Sequence, residues 1–160
     1  MIELSLVGVR VELPSNQPIV LLKETGGERY LPIWIGAVEA TAIAFALQGV
    51  ETPRPMTHDL LRDILKETEV QVDRIVISDL VDQTFYAVIR MMTDGQEREV
   101  SSRPSDAIAL AVRINAPIYA ADEVLEQAGI ELRDEEESEV QKFREFLDQV
   151  TPEDFASGQG

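Results

Sequence analysis

Cysteine is absent from this 160-residue chain, and histidine occurs once, at position 58. Without cysteine there is no disulfide, no thiolate nucleophile and no cysteine zinc site, and a reducing compartment such as the cytoplasm is the simple reading. A single histidine also rules out the His-x-x-x-His spacing of a zinc enzyme. Positive charge is scarce: 14 Lys and Arg stand against 30 Asp and Glu, for a net charge of −16. Such a surface repels phosphate backbones at long range, so passive nucleic-acid binding is disfavoured. Action on nucleic acid would need a local basic spot or a divalent cation. No glycine-rich phosphate loop is present, because Gly26-Gly27 reads as a hairpin turn. Ser101, Ser102 and Ser105 have no base beside them in sequence, which argues against a serine hydrolase. The N-terminus lacks the basic region and unbroken apolar run of a signal peptide.

One long apolar stretch is present. Residues 31–50, LPIWIGAVEATAIAFALQGV, carry one charge, Glu39. The length borders on that of a membrane span, but Pro32, Gly36, Glu39 and Gln48 interrupt it and alanine dominates it. The reading is a strand followed by a buried helix, with no membrane partner. Trp34, between Ile33 and Ile35, reads as a core residue rather than a base-stacking platform.

Hydrophobic residues make up 44% of the chain, enough for one domain with a normal core. Acidity is uneven. Residues 131–160 hold ten acids against Arg133, Lys142 and Arg144, a local charge of −7, leaving −9 for residues 1–130. This divides the chain into a domain over 1–130 and an acidic extension over 131–160, with an amphipathic helix expected at EVQKFREFLDQV. Apolar and polar residues alternate over 2–13, with a change of face at Leu6-Val7 that predicts a bulge near Gly8. Further strands are predicted at IVLLKE, RYLPIWI, residues 70–82, residues 84–92, QEREVSS and PIYA, with a hairpin at Asp94-Gly95. Pro32 suits an edge or irregular position. Helices are predicted over 37–48, 58–67, 104–115 and DEVLEQAG, the second with Leu60, Leu61, Ile64 and Leu65 on one face. Runs of strands with helices between and after them indicate an α+β fold.

Two helix starts echo each other: RPMTHDLL at 54–61 and RPSDAIAL at 103–110. Each sets Arg-Pro before a hydroxyl residue and an aspartate. As plain structure, Thr57 and Ser105 are N-caps, Asp59 and Asp106 favour the first-turn dipole, and the arginines pair with nearby acids. As a site, the same geometry makes an anion cradle beside a histidine whose charged form the dipole disfavours. Glu39 has the same two readings: a first-turn acid at the surface or paired with arginine, or a carboxylate aimed into a site.

Three segments in order, LPIWIGAVEATAIAFALQG, RPMTHDLLRDIL and RPSDAIALAVRINAPIYAADEVLEQAG, with RIVISDLVDQTFYAVI between the last two, resemble the bifunctional nuclease domain family, formerly a domain of unknown function. The resemblance covers about residues 1–130. The tail VQKFREFLDQVTPEDF is similar to the C-terminal extension of bacterial members. The resemblance implies an α+β fold on a mixed, largely antiparallel sheet with alanine-rich helices against it, a homo-oligomer with a dimer favoured, and nuclease activity on RNA and DNA. Plant relatives of the family are tied to defence responses. Glu39, Arg54, Thr57, His58, Asp59, Arg103, Ser105 and Asp106 fall in the signature segments, the same residues that the helix starts single out.

The leading expectation is therefore a divalent-cation-assisted phosphodiesterase with nucleic acid as substrate. Glu39, Asp59 and Asp106 would hold Mg²⁺ or Mn²⁺, hard cations that prefer oxygen ligands. His58 would activate water or protonate the leaving oxygen, with Asp59 and Glu39 beside it in the catalytic set. Arg54 and Arg103, with Thr57 and Ser105, would hold the phosphate. The alternatives are a non-enzymatic module that binds an anionic ligand or a protein, and a structural oligomer whose alanine faces pack between subunits.

Overall fold

A computed structural model gives the fold and describes residues 1–12 and 16–132. The helix expected at 139–150 and nearly all of the acidic extension lie outside the described residues. Two antiparallel meanders form the frame. The first is β1 (Ile2–Glu12), β2 (Gln17–Glu24) and β3 (Arg29–Trp34); the second is β4 (Gln71–Val81), β5 (Thr84–Thr93) and β6 (Gln96–Ser102). The short β7 (Ile118–Ala120) joins them, antiparallel to β1 and parallel to β4. With β8 (Ile130–Glu131) on β3, the order is β6-β5-β4-β7-β1-β2-β3-β8. The fold is α+β on a mixed, largely antiparallel sheet, as expected.

Local sequence accounts for the irregular points. The β1–β2 register shifts between Leu6 and Gly8, where the apolar alternation changes face. Asp94 and Gly95 both take positive φ, 50° and 75°, which the tight β5–β6 hairpin requires. The β4–β5 turn does the same without glycine, at Asp82 and Gln83, with φ of 50° and 65°. β8 covers only Arg29 and Tyr30, so Pro32 sits where the β3 edge is open and a missing N–H costs no ladder bond.

Among the described residues four helices follow the meanders: α1 (Ala37–Leu47) and α2 (Thr57–Glu67) after the first, α3 (Pro104–Ile114) and α4 (Asp122–Ala128) after the second. Residues 31–50 divide into β3 and α1, and no helix among the described residues is long and apolar enough to cross a membrane. Alternate strand residues Val9, Val20, Leu22, Leu31, Ile75, Ile77 and Ala87 meet Ile43 of α1 and Ile108 and Leu110 of α3 in the main core. Alanines 40, 42 and 44 of α1 and 107, 109 and 111 of α3 are buried, and the small side chains let the two helices approach each other and the sheet closely. The opposite face of the sheet carries a smaller cluster of Val7, Leu21 and Tyr30, against which Leu132 packs.

The expected apolar face of α2 is there, with Leu61 and Leu65 packed on the core and Leu60 and Ile64 about half exposed. Two expectations fail. Neither hydroxyl residue caps its helix. Met56 and Arg103 occupy the N-cap positions, Thr57 is the first residue of α2, and Ser105 is the second of α3 behind Pro104. Pro104 suits that first position, where no N–H is needed. Trp34 is not a core residue: it is 57% exposed, between Ile33 at 3% and Ile35 at 5%, because neighbours on a strand point to opposite faces.

Candidate functional site

The starts of α1, α2 and α3 converge, and four of the expected side chains form one continuous chain of polar contacts. His58 Nε2 lies 2.9 Å from Asp106 Oδ1. Arg103 Nε donates to Asp106 Oδ2 at 2.9 Å, and Arg103 Nη2 reaches Glu39 Oε1 at 2.6 Å. Glu39, His58, Arg103 and Asp106 thus come from three helices to one place. Exposure rises from His58 through Asp106 to Arg103 and falls again at Glu39. His58 is buried at 7%, the Glu39 side chain is 13% exposed, Asp106 is 32% exposed, and Arg103 is open to solvent at 64%.

Local sequence sets each member. Glu39 stands in the first turn of α1 and folds back over Gly36, where a Cβ would sit 2.5 Å from Glu39 Oε2. Gly36 therefore leaves the room in which that carboxylate turns towards Arg103. Arg103, at the N-cap of α3, reaches Asp106 one turn on. Burial raises the pKa of Asp106, but hydrogen bonds from Arg103 and His58 outweigh it and hold the group below the ordinary carboxylate range. The same bond to Asp106, followed by that to Glu39, raises the pKa of Arg103. With Asp106 ionised, His58 Nε2 must carry the hydrogen and donate it. In the neutral ring Nδ1 then holds the lone pair.

Asp59, Arg54 and Thr57 do not join this chain of contacts. Asp59 turns inward to Arg113, with Arg113 Nε at 2.7 Å from Oδ1, and its Oδ2 accepts the Met56 backbone N–H at 3.0 Å. Burial raises its pKa, but Arg113 and the Met56 N–H bring it below the usual value. Arg113 was not anticipated as part of either cluster. Its side chain is only 5% exposed and also donates to the Ala109 carbonyl, so it ties α2 to α3. A basic residue closing an alanine-rich apolar helix was the one sequence sign of it. Arg54 is exposed, with no ion-pair partner for its guanidinium among the described residues, and Thr57 is exposed too.

The arrangement bears on the expected cation. Glu39 and Asp106 both bind one guanidinium, and Asp59 is committed to Arg113. Among the described residues no group of three or more histidine or carboxylate side chains could hold a metal ion. As arranged, the donors do not fit a Mg²⁺ or Mn²⁺ cage, and Arg103 supplies the positive charge between them.

Beside Arg103 lies an open hollow of about 300 Å³, walled by Ile33, Trp34 and Phe85 and floored by Gly36, Pro104 and Ser105. Ser105 is 5% exposed, and its hydroxyl has no hydrogen-bond partner among the described residues.

Comparison with known proteins fits this picture. An uncharacterized protein of Mycobacterium tuberculosis is 49% identical over 162 residues, spanning 96% of this chain and 97% of its own length. Bifunctional nuclease 2 of Arabidopsis thaliana is 29% identical over 112 residues, 66% of this chain, and bifunctional nuclease 1 of Oryza sativa subsp. indica is 27% identical over 120 residues, 73% of this chain. This chain spans only 34% and 36% of those two plant proteins. The family model of the bifunctional nuclease domain matches residues 20–133, which include every residue of the four-member chain of contacts, and this protein belongs to that family.

Proposed function

We propose that this protein hydrolyses phosphodiester bonds of RNA and DNA at the Glu39–Arg103–Asp106–His58 cluster. The observation that carries the reading is the contact chain itself, from the buried imidazole to the exposed guanidinium. Arg103 offers fixed positive charge to a phosphate, and its planar fork suits two phosphate oxygens. Glu39 and Asp106 orient it. Asp106 also fixes the tautomer of His58, so that Nδ1 is the atom able to take a proton. In the reaction, a water oxygen bonds to phosphorus, its proton passes to His58 Nδ1, and the ester P–O bond breaks. The leaving oxygen then takes that proton back from His58, which returns to its neutral form. Arg103 balances the charge that grows on the phosphoryl oxygens.

The first test is cleavage of single-stranded RNA and DNA by wild type, His58→Gln and Asp106→Asn. Each substitution is expected to lower the rate by at least about 100-fold, the scale of one acid–base group. Full activity in a purified His58→Gln protein would remove His58 from the chemistry. Chelation by EDTA followed by Mg²⁺ or Mn²⁺ divides the charge-neutralising role. Cleavage that persists in EDTA gives it to Arg103, and a strict cation requirement means that Glu39 and Asp106 exchange Arg103 for the metal.

A binding module at the same cluster is the competing reading, favoured by the near burial of His58. Oligonucleotide binding without turnover would select it. Self-association belongs to the proposal as well, because Val38, Leu60 and Ile64 stand half or more exposed on α1 and α2. Light scattering at the mass of two chains is the expected result. The absence of cysteine suits such a protein to the cytoplasm.

A further inference from the structure

We propose that the hollow beside Arg103 is a subsite for the base of an unpaired nucleotide, with Trp34 as its stacking platform, so that the protein selects single-stranded nucleic acid. The inference rests on the nuclease reading and adds what part of the substrate is recognised. Trp34 and Phe85 supply aromatic and apolar wall. At the α3 end, Arg103 and the Ser105 hydroxyl supply what a phosphate needs, a cation and a donor. The Ser105 hydroxyl has no hydrogen-bond partner among the described residues and keeps access to solvent, so beside Arg103 it is a free donor. A ligand apolar at one end and anionic at the other matches both ends, and a nucleotide has that form.

Exposure points the same way. A tryptophan in open solvent leaves much apolar surface wet, and stacking a base on it would cover that surface. The net charge of −16 forbids a long phosphate track, so affinity must come from a few contacts of high quality. A base inside a duplex is stacked on both faces and cannot enter such a hollow; a base in a single strand can. The selectivity therefore follows from shape and not from base-edge hydrogen bonds, and the sequence preference is weak.

Trp34 is the only tryptophan of the chain, so its emission reports the hollow directly. The experiment titrates His58→Gln, which keeps the oligonucleotide intact, with a short single strand, the same strand carrying abasic sites, and a blunt duplex of the same sequence. Binding is followed separately by anisotropy of a labelled strand. The intact single strand is expected to quench Trp34 saturably, and the abasic strand and the duplex are not. Trp34→Ala is expected to weaken single-strand binding about tenfold or more, and Trp34→Phe to recover part of the loss. Because Trp34 is exposed, circular dichroism of both variants should match wild type. Anisotropy binding with no change in Trp34 emission, or equal quenching by the abasic strand, overturns the subsite while wild-type cleavage still upholds the nuclease reading. Quenching by the single strand with no cleavage by wild type upholds the subsite and overturns the nuclease reading.

Discussion

The starts of α2 and α3 carry nearly the same words, Arg-Pro then a hydroxyl residue and an aspartate, and the fold uses them in opposite ways. Asp59 at the first is saturated by Arg113 and the Met56 N–H, behind a surface that leaves Arg113 5% exposed. Asp106 at the second is one-third exposed and stands between a buried histidine and an open arginine. The difference lies in what each aspartate meets across the α2–α3 contact. Asp59 meets the far end of α3, and the start of α3 meets His58. One crossing thus holds a structural ion pair at one end and a chemically open one at the other.

Exchanging each aspartate for asparagine should separate these roles most sharply. Asp106→Asn is expected to lose at least about 100-fold in cleavage with little change in melting temperature. Asp59→Asn strands the buried guanidinium of Arg113 and should cost about 3 kcal/mol of stability while the folded protein keeps its rate. Denaturant unfolding beside a cleavage assay measures both. If Asp59→Asn silences cleavage in protein that is still fully folded, the division between the two ends is wrong.

Acid should expose the same contrast. The pKa of Asp59 is depressed in the folded state, so its contribution to stability is present above the ordinary carboxylate value of about 3.9 and is lost as pH falls through the lower folded value. The stability gap between wild type and Asp59→Asn should therefore be full at pH 7 and close on acidification below about pH 4. A gap that stayed constant down to pH 2 would mean that the charge of Asp59 contributes nothing and that only its shape matters.

A gentler change reaches the open end from the side. Gly36→Ala places a methyl group where the Glu39 carboxylate lies, and that carboxylate must move away. Arg103 would lose one of its two anchors and keep Asp106. The expected outcome is a rise in KM of several-fold with kcat changed less, because Arg103 still reaches the phosphate but is less well oriented. Unaltered KM would show that Asp106 alone positions the guanidinium.

Most of the fold was legible because the sequence is well punctuated. The bulge at Gly8, the Asp94-Gly95 hairpin and the four helices among the described residues follow from alternation, from glycine and proline, and from helical spacing. The convergence of helix starts was suggested by their echo, but the echo says nothing about partners. Asp59 and Arg113 are 54 residues apart, and no local rule pairs them. Thr57 lies one place past the N-cap expected of it and Ser105 two, because Met and Arg seldom serve as N-caps and the nearby hydroxyl residues are the better candidates by type. Trp34 shows the reverse case. Its flanking isoleucines are both buried, and on a strand that already sends the residue between them to the other face. Residue type favoured the core, and the period of two overrode it.

Arg54 makes the smallest expected difference and tests the comparison at its margin. It is the α2 counterpart of Arg103 in the echo, yet its side chain is exposed and pairs with no acid among the described residues. Its replacement by alanine should change stability by no more than about 0.5 kcal/mol, as for an ordinary surface position. If the α3 arginine alone holds the phosphate, cleavage should fall less than twofold and lose none of its salt dependence. A phosphate held by both arginines would behave otherwise: each released phosphate contact flattens the dependence of log affinity on log salt by about 0.7 on a single strand. A flatter salt slope in Arg54→Ala would return Arg54 to the site and show that both echoing starts, not one, face the substrate.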